Sequence, residues 1–226
     1  MKLNATQSTR DRLIDAARDL FYHQGYAATG IAQILKRADA KPGSLYHFFP
    51  TKEDLLIAVL ETYKELLWPI VIQPVFDRIS DPIERIFGVL DGYRTMLRIT
   101  GCTKGCPIGN IAIELADSHA QVRQLCADNF TGWRDAIQSC LDDAAGRLPA
   151  SVDRRPLASF VLTVMEGGVM QARAYQSLEP FDAAVTQLRD YFERLLADGT
   201  RWSSSPPPAE TKRRDDDPFE RGIERN

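Results

Sequence analysis

The chain has 226 residues, of which 44% are hydrophobic and 26% are charged, and its formal net charge is −3. This composition predicts a globular fold of one or two domains, and the lack of an eighteen-residue apolar run excludes a membrane-spanning helix. The amino terminus lacks the apolar segment of a secretory signal, so we expect a cytoplasmic protein. We expect its four Cys to be free thiols, because a chain of this length does not need a disulfide framework.

The charge is unevenly distributed along the chain. Residues 1–52 contain eight Lys or Arg against four Asp, a net charge of +4, which leaves −7 for the remainder. A basic unit beside an acidic body is typical of a small nucleic-acid-binding head, although a solvated basic surface gives the same count.

The first fifty residues contain signals for three helices. Apolar residues recur at helical spacing over residues 13–21, which predicts a first helix that Gly25 ends. Thr29 is expected to cap a second, short helix over residues 31–38. The turn ADAKPG then leads into a third helix of about residues 42–48.

The third helix is too short to be stable alone, so its apolar side must pack on the first two helices. Leu45, Phe48 and Phe49 have the i, i+3, i+4 spacing for this role. The remaining residues are polar or small and are expected to face outward: Lys41, Gly43, Ser44, Tyr46 and His47. Two helices joined by a short turn, the second with an outward polar side, form a helix-turn-helix whose second helix enters the DNA major groove.

A fourth helix follows at once. Thr51 can cap it, and Asp54, three residues later, can complete a capping box. Lys52 lies in the first turn, where the helix dipole disfavours a cation, so a nearby phosphate would explain it better than helix stability does.

Residues 9–63 carry the patterns Phe-x-x-x-Gly-Tyr, Thr-x-Ile-Ala, Gly-Ser-Leu-Tyr-x-x-Phe and Lys-Glu-x-Leu. This combination resembles the DNA-binding domain of the TetR family of bacterial transcriptional repressors. The resemblance implies that seven residues lie against double-stranded operator DNA: Thr29, Lys41, Gly43, Ser44, Tyr46, His47 and Lys52. It implies that Tyr46 and Lys52 hold the DNA backbone, whereas Lys41 and Ser44 read bases. Asp39-Ala40, where Gly-Val is common, and Pro42 depart from the family pattern and leave the operator sequence open.

From the residues alone, other interpretations of the same positions exist. Tyr46 could be a core aromatic, His47 could be an ordinary surface residue, and Lys41 and Lys52 could be solvated charges. We favour DNA contact for Tyr46 because Leu45 and its i+3 and i+4 partners already occupy the core side of the third helix.

Beyond residue 81 the pattern is again helical, without a β-hairpin or βαβ signal, so the predicted class is all-α. We expect a DNA-binding helix-turn-helix head at residues 1–50 and a larger helical effector-binding and dimerisation body of about nine helices at residues 51–200. Helices are predicted over residues 83–97, 108–115, 122–141, 157–175 and 181–196. Residues 201–226, with three consecutive Pro and mixed charges, are predicted to form a disordered tail.

The last two long helices have features of a subunit interface. In the TetR family these helices commonly pair with those of a second subunit as a four-helix bundle, so the resemblance implies a homodimer that reads a palindrome. The apolar positions that suit this role are Leu188, Tyr191, Phe192 and Leu195. Gly167 and Gly168 each cost a helix about 1 kcal/mol relative to Ala, and the close approach of another helix, or room for a ligand, would explain them.

The segment GCTKGCPIGN resembles a body segment of a TetR subgroup with a Gly-Cys-hydrophobic-hydrophobic-Gly-Asn signature, some of whose members respond to electrophiles or oxidants through a Cys. Cys106 precedes a helix start, where the dipole favours a thiolate, and Lys104 could add positive charge. Cys106, with Lys104 and Cys102, is therefore a candidate thiol sensor. The alternative is that Cys106 is a small buried residue.

Metal binding and catalysis are competing hypotheses. Cys102, Cys106, His119 and Cys126 could supply four zinc ligands, but their spacing is irregular and Cys126 lies on an apolar helical stripe. We therefore predict neither a metal site nor a cofactor. A Cys-His enzyme would need an orienting acid and an oxyanion site, and neither is recognisable. A helical enzyme or metal protein without DNA function would also leave the polar side of the third helix unexplained.

A pocket for a small-molecule effector between the body helices is the leading hypothesis. Its expected lining is Tyr93, Met96, Phe130, Trp133, Met165, Met170 and Tyr175. Any one of these residues could instead be ordinary core. An effector would act by binding two forms of the dimer with different affinity. It would bind the form that is unable to bind operator more tightly than it binds the DNA-ready form, typically by about 1 to 3 kcal/mol. The expected function is a repressor that a small-molecule or thiol-reactive effector releases from its operator.

Overall fold

The computed structural model describes residues 7–197, which form ten α-helices, one π-helical segment and one 3-10 helix. The α-helices are α1 Thr9–Gln24, α2 Ile31–Ala38, α3 Pro42–Phe48, α4 Lys52–Leu66, α5 Gln73–Arg78, α6 Pro82–Ile99, α7 Pro107–Leu115, α8 Ala120–Asp143, α9 Arg154–Tyr175 and α10 Glu179–Ala197. The π-helical segment is Leu67–Ile72 and the 3-10 helix is Ala145–Arg147. These residues contain no strand, which confirms the all-α class. The predicted tail lies outside the described residues.

The ends of α1 follow the local sequence signals. The Ser8 hydroxyl accepts a hydrogen bond from the Asp11 N–H and caps the first turn. Gly25 ends the helix with a φ of 85°, a conformation that a residue without Cβ adopts at little cost. The chain therefore turns sharply after α1 and enters residues 25–30, which we call the α1–α2 turn.

The start of α2 differs from the prediction. Gly30, and not Thr29, is the capping residue, and its N–H donates to Gln33 Oε1 at 2.8 Å. Glycine has no side chain to return this bond, so only one half of a capping box forms. Asp39 ends α2 in the left-handed conformation, with a φ of 47°, which Asp tolerates better than most residues.

Helix α3 is held on the head by Leu45 and Phe49, both of which are buried. The predicted packing of Phe48 is wrong, because this side chain is 39% exposed. The chain leaves helical geometry at Phe49, with φ −136° and ψ 96°. This change of direction places the Phe49 ring in the core and leaves Phe48 outside, beside the His47 ring at 4.9 Å.

Helix α4 connects the head to the body. The capping box predicted from Thr51 and Asp54 is confirmed. The buried side chain of Asn129 in α8 fastens the middle of α4 by donating through Nδ2 to the Leu60 carbonyl at 3.1 Å and to the Leu125 carbonyl at 2.9 Å. A buried amide that bonds two helices at once fixes their relative position.

In the body, α9 packs against both α8 and α10. Phe181 and Phe192 of α10 are fully buried, and the Phe192 ring meets Phe87 of α6 edge to face at 5.7 Å. The predicted interface role of three α10 residues is therefore wrong, because Leu188, Phe192 and Leu195 are buried within the chain and hold α10 onto the body. Tyr191 alone of that set is exposed.

The two adjacent glycines of α9 have different surroundings. A Cβ on Gly168 would lie 3.0 Å from Phe181 Cδ2, so the close approach of α10 explains this glycine. A Cβ on Gly167 would meet no atom within 4 Å. The packing of the chain itself therefore does not explain Gly167.

We expect Asn129→Asp to lower the free energy of unfolding by about 3 kcal/mol, because a carboxylate would replace a donor that faces two buried carbonyl oxygens. Urea unfolding followed by circular dichroism at fixed protein concentration measures this loss. The matched control is Asp128→Asn, which removes only a half-exposed ion pair with Lys64 at 3.9 Å and should change stability by less than about 1 kcal/mol. Equal losses in the two variants would contradict the role given to Asn129.

Candidate functional site

Five of the residues expected at DNA form one polar surface of the head. We call Lys41, Gly43, Ser44, Tyr46 and His47 the α3 surface. Each is exposed or half-exposed, and Tyr46 is 56% exposed. The alternative of Tyr46 as a core aromatic is therefore rejected. A Cβ on Gly43 would meet no atom of the chain within 4 Å, so folding does not require glycine there.

Thr29 lies away from this surface. Its side chain is buried, its hydroxyl donates to the Gly25 carbonyl at 2.6 Å, and the same oxygen accepts from Gln24 Nε2 at 3.2 Å. The expectation that Thr29 lies against DNA is therefore wrong, because the side chain is used inside the head to close the α1–α2 turn.

Lys52 also has a partner within the chain. Its ammonium donates to the Tyr26 carbonyl and lies 4.1 Å from the centroid of the Tyr26 ring. Burial lowers the pKa of Lys52, although the Glu114 carboxylate opposes this shift. A carbonyl and an aromatic ring therefore explain the cation in the first turn of α4, and a phosphate is not needed for that purpose.

The body contacts the head through a carboxylate that no sequence motif had indicated. Glu114 of α7 accepts hydrogen bonds from two consecutive backbone N–H groups of the α1–α2 turn, from Tyr26 at 3.0 Å and from Ala27 at 2.6 Å. Lys104 adds a second contact by donating from Nζ to the His23 carbonyl at 2.9 Å. The segment before α7 and α7 itself therefore hold the end of α1.

Within the described residues, the side chains expected to line one effector pocket are divided between two cavities. The first, which we call the head-side cavity, has a volume of about 670 Å³ and lies among α1, α4, the π-helical segment, α5, α6 and α8. It contains three of the expected residues, Tyr93, Met96 and Trp133. Tyr22 of α1 also lines it and donates from its hydroxyl to Met96 Sδ at 3.2 Å. Burial raises the pKa of Tyr22 to about 12, so the hydroxyl is a neutral donor at pH 7.

The second cavity, which we call the α7–α9 cavity, has a volume of about 630 Å³ and lies between α7, α8 and α9. Phe130 and Met170 of the expected set line it, together with Cys106 and Glu166.

Met165 and Tyr175 line neither cavity, and their assignment to the effector pocket is wrong. Met165 is fully buried in the core, whereas Tyr175 at the last turn of α9 is 72% exposed. Helical periodicity identifies apolar positions of α9, but it does not show whether each position faces the core, a cavity or the surface.

Cys106 has the predicted position at a helix start but not the predicted chemistry. Its sulfur accepts from the Gly109 N–H at 3.4 Å, as expected for the capping residue of α7. However, burial and the neighbouring Glu166 carboxylate raise the pKa of the Cys106 thiol well above its ordinary value. The Lys104 ammonium donates to the His23 carbonyl and does not lower this pKa. The expected stabilisation of a thiolate is therefore wrong, because burial and an acidic neighbour outweigh the helix start.

The other Cys residues are also buried free thiols. Cys102 has a left-handed φ of 57° and donates its N–H to the Leu97 carbonyl at 2.8 Å, which ends α6. Burial raises the pKa of Cys126 and of Cys140 to about 11. The prediction of free thiols is confirmed for the four residues.

The zinc alternative does not agree with the geometry. Within residues 7–197, no three His, Cys, Asp or Glu side chains are grouped closely enough to hold a metal ion. Cys102, Cys106, His119 and Cys126 therefore do not form the site that their order in the sequence allowed.

Within residues 7–197, no helix is both long and apolar enough to cross a membrane.

Comparison with known proteins identifies the family. Residues 13–59 match the model of the bacterial regulatory proteins of the tetR family, and residues 82–187 match the C-terminal domain of LmrA/YxaF-like transcriptional regulators. The uncharacterized HTH-type transcriptional regulator YxaF of Bacillus subtilis (strain 168) is 34% identical over 163 residues, which cover 72% of this chain and 83% of that protein. The chain belongs to the TetR family.

Two further similarities agree with this TetR-family membership. The HTH-type transcriptional regulator LmrA of Bacillus subtilis (strain 168) is 30% identical over 174 residues, which cover 76% of this chain and 90% of that protein. The crystal structure of the regulatory protein TetR from Rhodobacter sphaeroides has a TM-score of 0.73 at 23% identity, with 81% of this chain and 98% of that chain covered, and shows the same fold. TetR-family proteins are DNA-binding transcriptional regulators and not enzymes, and they usually act as homodimers with small-molecule effectors.

We expect iodoacetamide at pH 7.5 to label Cys106 roughly tenfold or more slowly in the folded chain than in the chain unfolded by guanidinium, because the thiolate is the reacting species. Peptide mapping by mass spectrometry measures the rate at this residue. Because the pKa of Cys106 is raised, labelling of the folded chain should increase only at a pH above the ordinary range of a thiol. Equal rates in the folded and unfolded chains would restore Cys106 as a reactive thiol.

Proposed function

We propose that this TetR-family chain binds a palindromic operator as a homodimer, represses transcription in the cytoplasm, and is released when an effector binds in its helical body. The observation that carries the proposal is the α3 surface, where a short helix fixed by Leu45 presents Ser44, Tyr46 and His47, together with Gly43, to the outside. Two such helices on a twofold axis read half-sites about one turn, roughly 34 Å, apart.

The residues of the α3 surface suit different parts of a DNA duplex. The exposed Tyr46 hydroxyl and the His47 ring suit the phosphate backbone, whereas Lys41 and Ser44 at the start of α3 suit base edges in the major groove. Gly43 supports close approach of the DNA, since a side chain there would meet nothing in the protein. Lys52 could still join the DNA contacts by leaving the Tyr26 carbonyl.

The homodimer is supported by an apolar surface that the chain itself leaves open. We call Phe160, Gly167, Met170 and Tyr191 the α9–α10 face. Its three large side chains are 45%, 57% and 44% exposed in that order, and the rings of Phe160 and Tyr191 meet at 5.8 Å. Large exposed apolar side chains grouped on two neighbouring helices are typical of an interface. The open space at Gly167 would let a helix of the second subunit approach closely.

Control by a small molecule is supported by the position of the two cavities. The head-side cavity is lined by Tyr22 of α1, and the α7–α9 cavity is lined by the helix that carries Glu114. A ligand that moved α1 or α7 would change the position of the head. A thiol-reactive effector is the alternative, and the labelling of Cys106 described above decides between these two kinds of effector.

We expect Gly43→Ala to weaken operator binding roughly tenfold or more while leaving the melting temperature unchanged or slightly higher, because Ala favours a helix and its Cβ clashes with nothing in the chain. Fluorescence anisotropy with the DNA upstream of the gene measures the affinity. Tyr46→Ala should weaken binding to all sequences, and affinity should fall as salt rises because phosphate contacts release counterions.

The matched control is Gly146→Ala, which adds a methyl group to equally open space in the body. It should leave operator affinity unchanged. If Gly43→Ala binds the operator as tightly as the unmodified chain, the α3 surface is not the DNA-binding surface.

We expect Phe160→Glu and Tyr191→Glu each to weaken the dimer by roughly 2 kcal/mol or more, since a carboxylate would be buried against an apolar partner. Sedimentation equilibrium measures the dissociation constant, and operator binding should fall with it. Ile99→Glu is the control, because this isoleucine at the end of α6 is exposed but lies outside the α9–α10 face. A dimer that all three variants leave intact would show that another surface joins the subunits.

A further inference from the structure

The α7–α9 cavity contains a carboxyl group that lacks a hydrogen-bond partner. Glu166 projects from α9, and its Oε1 atom is enclosed and bonds to no group in the part of the chain that the structure describes. Its other oxygen, Oε2, lies 2.7 Å from the position that a Cβ on Gly109 would occupy. Glycine at position 109 therefore allows α7 to pass directly beside the carboxyl group.

Two nearby N–H donors of the chain are directed elsewhere. Arg173, two turns further along α9, donates from Nη1 to Asn110 Oδ1 at 2.8 Å at the edge of the cavity. The Gly109 N–H donates to the Cys106 sulfur. Burial also raises the pKa of Glu166, and a hydrogen bond between the Cys106 thiol and this carboxyl group partly opposes the shift. Oε1 itself has no hydrogen-bond partner among the described residues. A buried carboxyl oxygen without a donor is rare in native proteins, because the lost contact with water is not replaced.

The rest of the cavity wall is mostly apolar. Apart from Glu166, Asn110, Arg173, the Cys106 thiol and small hydroxyl groups, the lining consists of glycines and of aliphatic, aromatic and thioether groups, among them Ile113, Phe130, Leu162, Val169 and Met170. Its volume of about 630 Å³ is within the range of small-molecule sites, about 300 to 1,000 Å³. An apolar wall with a small number of polar groups at fixed places is the usual arrangement for binding a small organic molecule in one orientation.

We propose that the α7–α9 cavity binds an apolar organic molecule whose amine or hydroxyl group donates a hydrogen bond to the carboxyl group of Glu166. This inference rests on the proposed function, in which the cavity is an effector site. An amine and a hydroxyl share the required chemistry, a donor on an apolar body. A carboxylate or another anion is disfavoured next to Glu166, because it would face another carboxyl group there.

The site is also connected to the head. Gly109 and Asn110 face the cavity from α7, and Glu114, about one turn later on the same helix, holds the α1–α2 turn. A ligand seated against Glu166 would therefore contact the helix that positions the head.

The test uses the purified full chain and four probes that share a naphthalene body: 2-naphthylmethylamine, 2-naphthylmethanol, 2-methylnaphthalene and 2-naphthoate. We expect calorimetry to show the amine or the alcohol binding roughly tenfold or more tightly than the methyl compound, with 2-naphthoate weakest. A tighter amine assigns the site to a cationic donor and a tighter alcohol assigns it to a hydroxyl, and either result supports the inference.

Variants assign the preference to Glu166. Glu166→Leu keeps a similar volume without the acceptor and should bind the methyl probe at least as well as the donor probes. Glu166→Gln keeps a carbonyl acceptor and should lose only the advantage of the amine. Glu61→Gln, which changes an exposed carboxylate of α4 outside the cavity, should keep the order seen for the unmodified chain. If Glu166→Leu does not fold, the probe order in the unmodified chain decides alone.

Several results would overturn the inference. The first is equal affinity for the methyl and donor probes, and the second is tightest binding of 2-naphthoate. The third is failure of every probe to bind, which is expected if a second copy of the chain fills the cavity. A donor preference that survives Glu166→Leu would place the ligand elsewhere and overturn it as well. Operator binding without probe is measured in the same samples. If the chain binds the operator but shows no preference for the donor probes, only this inference is rejected. If the chain does not bind the operator, the proposed function is rejected, and the probe series still tests the ligand site.

Discussion

Two hydrogen bonds from the α1–α2 turn to Glu114 fix the turn that joins the first two helices of the head to the body. Leu45 and Phe49 lie in the head part of a hydrophobic core that continues into the body, and α4 leads from the head into the body. Apolar packing of this kind is non-directional, whereas hydrogen bonds to a fixed carboxylate have a defined direction. The carboxylate of Glu114 supplies that direction by accepting from Tyr26 and Ala27, while the Lys52 ammonium donates to the Tyr26 carbonyl. The same turn is thus held through its N–H groups by an anion and through a carbonyl by a cation.

This attachment gives each cavity a short physical connection to the head. The head-side cavity reaches α1 through the contact of Tyr22 with Met96, and the α7–α9 cavity reaches the turn through the nine-residue helix α7. A ligand changes operator affinity only if it binds the two head positions with different affinity. Small contacts at the ends of rigid helices satisfy this condition, because a packed helix moves as a unit.

Features that depend on neighbours in sequence were predictable, and features that depend on distant partners were not. The capping box of Thr51 and Asp54 and the all-α class follow from spacing and side-chain type. The thiolate expected at Cys106 was a local argument from a helix start, and it failed because the fold buries the thiol and places Glu166, sixty residues later, beside it. Glu114 carried no local signal at all, since a Glu at the end of an amphipathic helix is ordinary until its backbone partners are known. The same limit applies to the effector pocket, because periodicity predicted one lining for residues that the fold divides between two cavities.

The glycines within the α-helices fall into two groups: those that packing within the chain explains and those that face open space. Each costs about 1 kcal/mol relative to Ala, so each calls for an explanation. Four are explained by close neighbours within the chain: Gly88, Gly109, Gly132 and Gly168. Three would accept a Cβ without contact: Gly43, Gly92 and Gly167. Gly43 belongs to the α3 surface, Gly92 lines the head-side cavity and Gly167 belongs to the α9–α10 face. The three glycines without a close neighbour thus lie where the proposed function places DNA, an effector and a second subunit. Close approach of these partners would explain why glycine is present there despite its lower helix stability relative to Ala.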